Sequence, residues 1–436
     1  MLKGNIKFYS IIFQIWVISF PFGSYVLYIS MGYFTLYPFL LLLICLFGYS
    51  FFFKYESEPI INKIVITFLS SLLIYALIRA SISGFSSYAI FDIRSLILFL
   101  FTVFIIFRSN SILGWQKLKP LLGNTFILFF IIFTMIAVFE YLAGIHIWGH
   151  YVEKLLLTPI TTEVTYTPVF IYDNPNNFIT YYILIGVTTI LLNNKIQQNI
   201  WQSSFIIVLL LSFSYIANSR FGVFTNVILI ISIILINIKQ IKTYIYKNKY
   251  SIILVLGLTL MCFFFNPIYI GPIWQKTINT KENILKQKEI DLSNQLESNT
   301  IRLKLIKNGI YLFKESNGFG VGPGMFRYYH DEKKVPENVF SHANPHNWII
   351  ELLSQYGFFC FFYIIFFIYM IWNTFLNYKF HKNYSIIFVA SILIFFIISN
   401  SPSAFGLLDI NWIFTGILIL YYTSEIKNKS SNNSNG

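Results

Sequence analysis

The feature that most constrains this chain is a series of apolar stretches, each near the roughly 20 residues a helix needs to cross a bilayer. They centre on 8–28, 36–53, 63–82, 88–107, 121–143, 177–193, 199–217, 220–238, 251–271, 347–372, 384–403 and 407–424. A backbone in hydrocarbon must satisfy its own hydrogen bonds, so apolar segments of this length become helices. The sequence therefore predicts an all-α polytopic membrane protein with about twelve spans. Only 11% of residues are charged and 56% are hydrophobic, where a soluble domain carries roughly 25% charged residues. No cleavable signal peptide is read at the start, because Phe8–Tyr28 is too long for a signal's apolar region and more spans follow.

Basic residues orient the spans. One set of short segments carries Lys3 and Lys7, Lys54 and Lys63, Arg108, Lys117 and Lys119, Lys195, Lys239, Lys242, Lys247 and Lys249, Lys379 and Lys382, and Lys427 and Lys429. The short segments near 23–35, 83–87 and 404–406 carry none. Basic loops stay inside, which puts both termini in the cytoplasm. The domains expected are a membrane bundle over 1–271, a large extracytoplasmic loop over 272–346, further membrane helices over 347–424, and a polar, disordered tail over 425–436. The net charge of +13 divides between the inner membrane surface and this loop. A nucleic-acid protein needs a basic cytoplasmic face of real size, and none is present. The large abundance of Phe and Tyr reads as codon bias. Cys45, Cys262 and Cys360 lie in apolar runs without metal spacing and read as small buried apolar side chains.

Inside the large loop, Leu303, Ile306, Ile310 and Phe313 recur at helical spacing, with Arg302, Lys304, Lys307 and Lys314 on other faces. This predicts a basic amphipathic helix near 301–316, ending at Asn317-Gly318 and lying on the outer surface or over the bundle. The loop ends in Ser341-His342-Ala343-Asn344-Pro345-His346-Asn347-Trp348. Pro345 tolerates only the first turn of a helix, so a helix is expected within a residue or two of it. That would hold His346 at a helix mouth, where water meets lipid. An unperturbed pKa near 6.5 suits a histidine to general-base work, and capping the helix is the competing role. His342 and His346 stand four apart, but Pro345 between them makes a shared helical face and a zinc site unexpected.

Several arginines converge on the outer side. Arg220 follows Ala217-Asn218-Ser219 between two spans, Arg79 nears the outer end of its span, and Arg302 opens the loop helix. Arg94 stands two residues after Asp92; an ion pair with Asp92 and a place in an anion site are both open to it. For Arg220, snorkelling to the interface is the alternative. Charge at membrane depth is costly and usually faces a cavity or a partner. The planar guanidinium fork fits phosphate, so the cluster points to a lipid-linked phosphate or diphosphate. Gly318-Phe319-Gly320-Val321-Gly322-Pro323-Gly324 is similar to a dinucleotide loop in letters only, with no strand before it and no clear helix after it. It reads as a turn that lets backbone approach a ligand or the membrane. Asp173-Asn174-Pro175-Asn176-Asn177 opens a span, either as a cap or as part of a sugar site.

These residues together resemble the O-antigen ligase/polymerase family of polysaccharide assembly. The resemblance rests on Asn174-Pro175-Asn176 before a span, Ser219-Arg220 between two spans, and Arg302 starting the loop helix. It continues with Gly318-Phe319-Gly320-Val321-Gly322 and with Pro345-His346-Asn347 followed by Glu351 and Gly357. It covers roughly 170 to 372, and the N-terminal third carries no matching motif. The resemblance implies an integral-membrane glycosyltransferase of the bacterial cytoplasmic membrane, using a polyprenyl-diphosphate-linked oligosaccharide and no cofactor or metal. By that similarity Arg220 and Arg302 would hold the diphosphate, and His346 would activate the acceptor hydroxyl. Arg79, Arg94, Asn174, Asn176, Gly320, Gly322, His342, Asn347 and Glu351 would make the binding surface, of which Arg79 and Arg94 are assigned on charge alone. A chain-length regulator and a flippase are the protein partners implied. Polymerisation of repeat units is the activity expected; transfer to lipid A–core is the alternative within the family. A lipid-linked glycan transporter is the alternative outside it, and the internal repeats such a protein would show are not evident.

Overall fold

The computed structural model describes residues 5–22, 29–31, 34–53, 59–143, 168–170, 172, 175–247, 300–337, 339, 347–376, 382–400 and 409–427. The expected span at 251–271, Cys262, Asn174, His342 and His346 lie outside the described residues. The helices are α1 (Ile6–Ser19), α2 (Pro38–Ser50), α3 (Ile60–Ser83), α4 (Ser87–Leu113), α5 (Trp115–Ala143) and α6 (Pro175–Leu192). They continue with α7 (Asn194–Gln198), α8 (Ile200–Ile216), α9 (Arg220–Lys247), α10 (300–315) and α11 (Met325–Asp331). The last four are α12 (Trp348–Tyr356), α13 (Phe359–Leu376), α14 (Lys382–Ile398) and α15 (Asp409–Tyr421), followed by a π-turn over Tyr422–Lys427.

Local chemistry sets the ends. The Asn5 side chain accepts from the N–H groups of Lys7 and Phe8 and starts α1. Pro38 and Pro175 occupy first helical positions, where a missing N–H costs nothing. Ser86 caps α4 by accepting from Ala89 N at 3.1 Å. At the other end of α4, Gly114 adopts a positive φ and its N–H closes on the Asn110 carbonyl at 2.8 Å. The C-terminal carbonyls of the α2 end are met by buried Arg108, which donates to Ser50 O at 3.1 Å and Phe53 O at 2.9 Å.

Six helices are long and apolar enough to cross a membrane among the described residues: α3, α4, α5, α6, the Arg220–Ile238 part of α9, and α13; α1, α2, α8 and most of α14 are shorter apolar helices. The protein is a multi-pass membrane protein. Its central element is α6, whose apolar window is 83% buried against 28–44% for the other five. It packs on α5, α8, α14 and α15. Two glycines bring helices close around it: a Cβ on Gly186 would lie 2.9 Å from Leu210, and one on Gly222 would lie 2.8 Å from Ser214 Oγ and 2.9 Å from Ile179. The outer helices turn apolar side chains outward, as Phe361, Phe362, Ile365, Ile368 and Trp372 do on α13.

The structure corrects several expectations. The all-α class holds, with one small addition: Ile29–Met31 and Phe34–Leu36 pair as an antiparallel hairpin, Met31 opposite Phe34. The span expected over 347–372 is two helices, broken at Gly357, where φ is +58°. The helix after Pro345 starts at Trp348, because the Asn347 side chain accepts from Ile350 N at 3.1 Å and sets the cap there. A helix, α11, does follow the glycine-rich stretch. Of the cysteines described, Cys360 is buried but Cys45 is exposed on α2. On α10 the buried positions are Leu305, Asn308, Gly309 and Leu312, while Leu303 and Ile310 of the expected apolar stripe are exposed. Leu305 and Leu312 join Val321, Met325 and Phe326 in a small core of the loop's own, which selects the face that turns inward.

Candidate functional site

The glycine-rich stretch is built into the break between α12 and α13. Val321 N donates to Ser354 O at 2.8 Å, Gly322 N to Gln355 O at 3.0 Å, and Phe358 N to Gly318 O at 3.1 Å. Backbone lies against backbone here. A Cβ on Gly320 would stand 2.5 Å from the Gln355 carbonyl oxygen, and one on Gly357 would stand 2.1 Å from the Gly318 oxygen. The next turn is fixed by α4: Gly324 N donates to Asp92 Oδ2 at 2.8 Å and also contacts Gln355 Oε1. From α3, Arg79 donates to the Gly320 carbonyl and Tyr75 to the Phe319 carbonyl. A glycine-rich segment with alternate donors and acceptors thus becomes an added backbone layer over α3, α4 and α12.

This arrangement gives several expected site residues their surroundings. Gly320 and Gly322 are buried against protein, with Gly322 3.5 Å from the Arg79 Cβ by its would-be side chain, so both serve packing. Asp92 is engaged with Gly324, and Arg94 stands 5.9 Å from the centroid of the Tyr37 ring, within electrostatic reach of Asp409. The Arg94–Asp92 pair is not formed, because residues two apart on a helix point to different faces. Asn347 caps α12, and Glu351 is buried one turn further in, where it and Asp92 line a small apolar cavity. Asn176 sits in the first turn of α6, its carbonyl accepting from Thr180 Oγ1 at 2.8 Å.

Arg220 and Arg302 lie within electrostatic reach of each other. Arg220 opens α9 after a tight turn in which Asn218 takes a φ of +51° and Ser219 Oγ accepts from Gly222 N at 3.2 Å. Arg302 lies in the first turn of α10 and is partly buried. Burial first, and the Arg220 charge second, pull the Arg302 guanidinium below its ordinary pKa. Two guanidiniums within electrostatic reach, each in the first turn of its helix, concentrate positive charge beside the membrane bundle.

Sequence reasoning missed a polar knot in the same loop. Buried Asn308 on α10 donates to His330 at 2.9 Å and to Glu337 O at 2.8 Å, and accepts from Glu337 N at 3.0 Å. His330 Nδ1 donates to Phe326 O at 2.8 Å, so Nε2 is the acceptor from Asn308 and the ring is neutral. Burial pulls the His330 pKa below its usual value, ahead of the opposing effects of Phe326 O and Asp331. Asn308 stands on the face of α10 opposite the apparent stripe, which is the one signal the sequence offered. Gln355 was missed as well, and nothing in the apolar run around it marks its role.

Residues 205–365 match the family model described as O-antigen ligase. That stretch holds Arg220, Arg302, the glycine-rich layer and the Pro345-His346-Asn347 segment. Teichuronic acid biosynthesis protein TuaE of Bacillus subtilis (strain 168) is 34% identical over 137 residues, which cover 29% of this chain and 27% of that protein. The chain therefore spans little more than a quarter of that relative's length. No solved structure matches. Residues 205–365 are thus similar to the O-antigen ligase family, and the chain is similar over 137 residues to a protein of teichuronic acid biosynthesis.

Proposed function

We propose that this protein polymerises polyprenyl-diphosphate-linked oligosaccharide repeat units into a surface polysaccharide. The observation that carries this reading is the approach of Arg220 to Arg302. In the proposed reaction an acceptor hydroxyl oxygen bonds to the donor's anomeric carbon. The carbon–oxygen bond to the diphosphate breaks, and its electron pair leaves with the polyprenyl diphosphate. Diphosphate is a good leaving group, and paired arginines stabilise its developing charge. His346 is assigned as the base that takes the hydroxyl proton, a role argued from its sequence setting one residue before the α12 cap. The relative's name, teichuronic acid biosynthesis, favours building a polysaccharide over transfer to lipid A–core. The site is placed on the outer face of the bacterial cytoplasmic membrane, with both termini inside, 272–346 as the outer loop, and a chain-length regulator and flippase as partners.

The test is polymerisation of purified lipid-linked repeat units, with chelator present. His346→Asn leaves the Asn347 cap of α12 in place but has no base, and should lose roughly 10²–10⁴-fold in rate. Arg220→Lys keeps charge but not the fork, and should cut polymer yield at normal protein level. Full activity in His346→Asn removes the base, and wild-type yield from Arg220→Lys removes the clamp. Transfer to lipid A–core without chain growth would establish the ligase activity instead.

A further inference from the structure

Helix α10 is held against the bundle on one side and leaves an apolar strip bare beside that contact. Gly309 allows the approach: a Cβ there would lie 2.2 Å from Ile350 Cγ2 on α12. Phe313 meets Phe358, just before α13, with ring centroids 5.7 Å apart and planes at 76°. Leu305, Asn308 and Leu312 lie on one flank of this contact, in the loop's own core and polar knot. Going round α10 from Phe313 in the other sense, Ile310 and Leu303 come next, roughly 60–80° away, and then Lys314 and Lys307 at roughly 100–120°. Leu303 is 61% exposed and Ile310 39%, and both lysines are exposed. Lys307 reaches Glu337 at 3.2 Å.

The bare strip continues into the outward apolar side of a membrane-length helix. Phe358 lies 6.4 Å from Phe319 and 6.2 Å from Phe361, ring centroid to ring centroid, and all three rings are exposed. From Phe361 and Phe362 the exposed apolar side of α13 runs on through Ile365 and Ile368 to Trp372. A contiguous apolar surface of this kind marks a binding face. Apolar side chains next to the bundle with lysines beyond them is the order of an interfacial helix. There the aliphatic chains enter the acyl region and the amines, on long stems, stay among the headgroups. A protein partner fits less well, because lysine is depleted at protein interfaces.

We infer that α10 lies in the surface of the bilayer, with Leu303 and Ile310 in the acyl chains beside α13 and its lysines among anionic headgroups. The occupant of the strip is lipid. Arg302 is the chain neighbour of Leu303, so the same contact fixes the turn that carries it near the level of lipid phosphate. The inference requires the loop to sit at a membrane surface and does not require the reaction proposed above.

The test places a bimane fluorophore on single cysteines of the full-length chain, with Cys45, Cys262 and Cys360 replaced by alanine. The protein is held in vesicles of phosphatidylcholine and phosphatidylglycerol. Leu303→Cys and Ile310→Cys are compared with Ile365→Cys on α13 as the lipid reference and Glu332→Cys after α11 as the water reference. All four replace exposed side chains, which spares the fold. Lipid with brominated acyl chains should quench the labels at Leu303 and Ile310 as it does the one at Ile365. Iodide in the water should quench them several-fold less than the label at Glu332. Iodide quenching equal to that at Glu332 overturns the lipid contact. Quenching by neither agent overturns it too, because protein then covers the strip, either a second copy or another segment of this chain. Brominated phosphatidylglycerol should quench the Leu303 label more than brominated phosphatidylcholine does. Lys304→Gln and Lys314→Gln should each lower that preference, by about fivefold per lysine at most. Equal quenching by the two lipids, or a preference that survives both substitutions, overturns the anionic assignment. Polymer formation enters none of these readings, so failure of the proposed reaction would leave them unchanged.

Discussion

Two junctions between helices turn on glycines that look alike in sequence and differ in kind. Gly114 joins α4 to α5 with φ +75°, and Gly357 joins α12 to α13 with φ +58°. Around Gly114 an added Cβ would meet nothing within 4 Å. At Gly357 it would meet the Gly318 oxygen at 2.1 Å and Gly320 N at 2.8 Å. The first glycine supplies a backbone conformation alone. The second supplies that conformation and also the space into which another segment is docked. One junction is a matter of φ, the other of tertiary structure, and only the latter touches the segment that the family model covers.

The sharpest way to break this comparison is Gly357→Ala. It should destabilise the protein by about 3 kcal/mol or more, because strain and a backbone clash act together. Faster proteolysis around 318–324 and loss of polymer would register it; an unchanged cleavage pattern would place the two glycines in one class. Asp92→Ala attacks the same docking from α4 by removing the Gly324 acceptor. A cost of about 1–3 kcal/mol is expected, with Asp92→Asn recovering much of it since an acceptor oxygen remains. If Asp92→Ala leaves thermal stability untouched, the docked layer is held without α4.

Acid offers a smaller perturbation at the far side of the loop. The His330 pKa is lowered in the fold, so its contribution is complete above the unfolded value near 6.5 and is lost as pH falls through the folded value. Protonation adds a hydrogen at Nε2, where Asn308 already donates. Proteolysis between 332 and 337 should therefore quicken as pH falls below the ordinary histidine value of about 6.5, while His330→Gln should flatten the dependence; a profile identical in that variant would assign the effect elsewhere. The mildest change is Gly114→Ala, expected to cost about 1–2 kcal/mol from the left-handed backbone alone. A loss as large as that of Gly357→Ala would erase the distinction.

How much of this was legible follows the same division. Caps were written locally: Asn347 three residues before the N–H of Ile350 that it binds, and Ser86 before Ala89. The arginines at 220 and 302 were legible from side and charge, and Arg220 acts electrostatically on Arg302 in the fold. The break at Gly357 was not legible, because Tyr356 to Trp372 is a continuous apolar run and one glycine in a helix costs only about 1 kcal/mol. Its cause is the Gly318 carbonyl, far away in sequence. The Arg94–Asp92 pairing failed for a reason the spacing already held. The α10 stripe failed because the helix has apolar side chains on two faces, and only the partner core made by Val321, Met325 and Phe326 decides between them.

The burial of α6 bears on how the protein is made. A helix with so little lipid-facing surface is under no pressure to be oily, and its mean hydropathy is 1.3 against 2.0–2.5 for the other five long apolar helices. Hydrophobicity is what drives a segment out of the insertion machinery and into the bilayer. By that measure α6 is the slowest of the six to partition by itself. It follows α5 in the chain and precedes α8, two of the helices that bury it. Its residence in the membrane thus depends on α5 being there to receive it and on α8 arriving to enclose it, so a truncation made just after Leu192 should yield a segment that slips back out during synthesis.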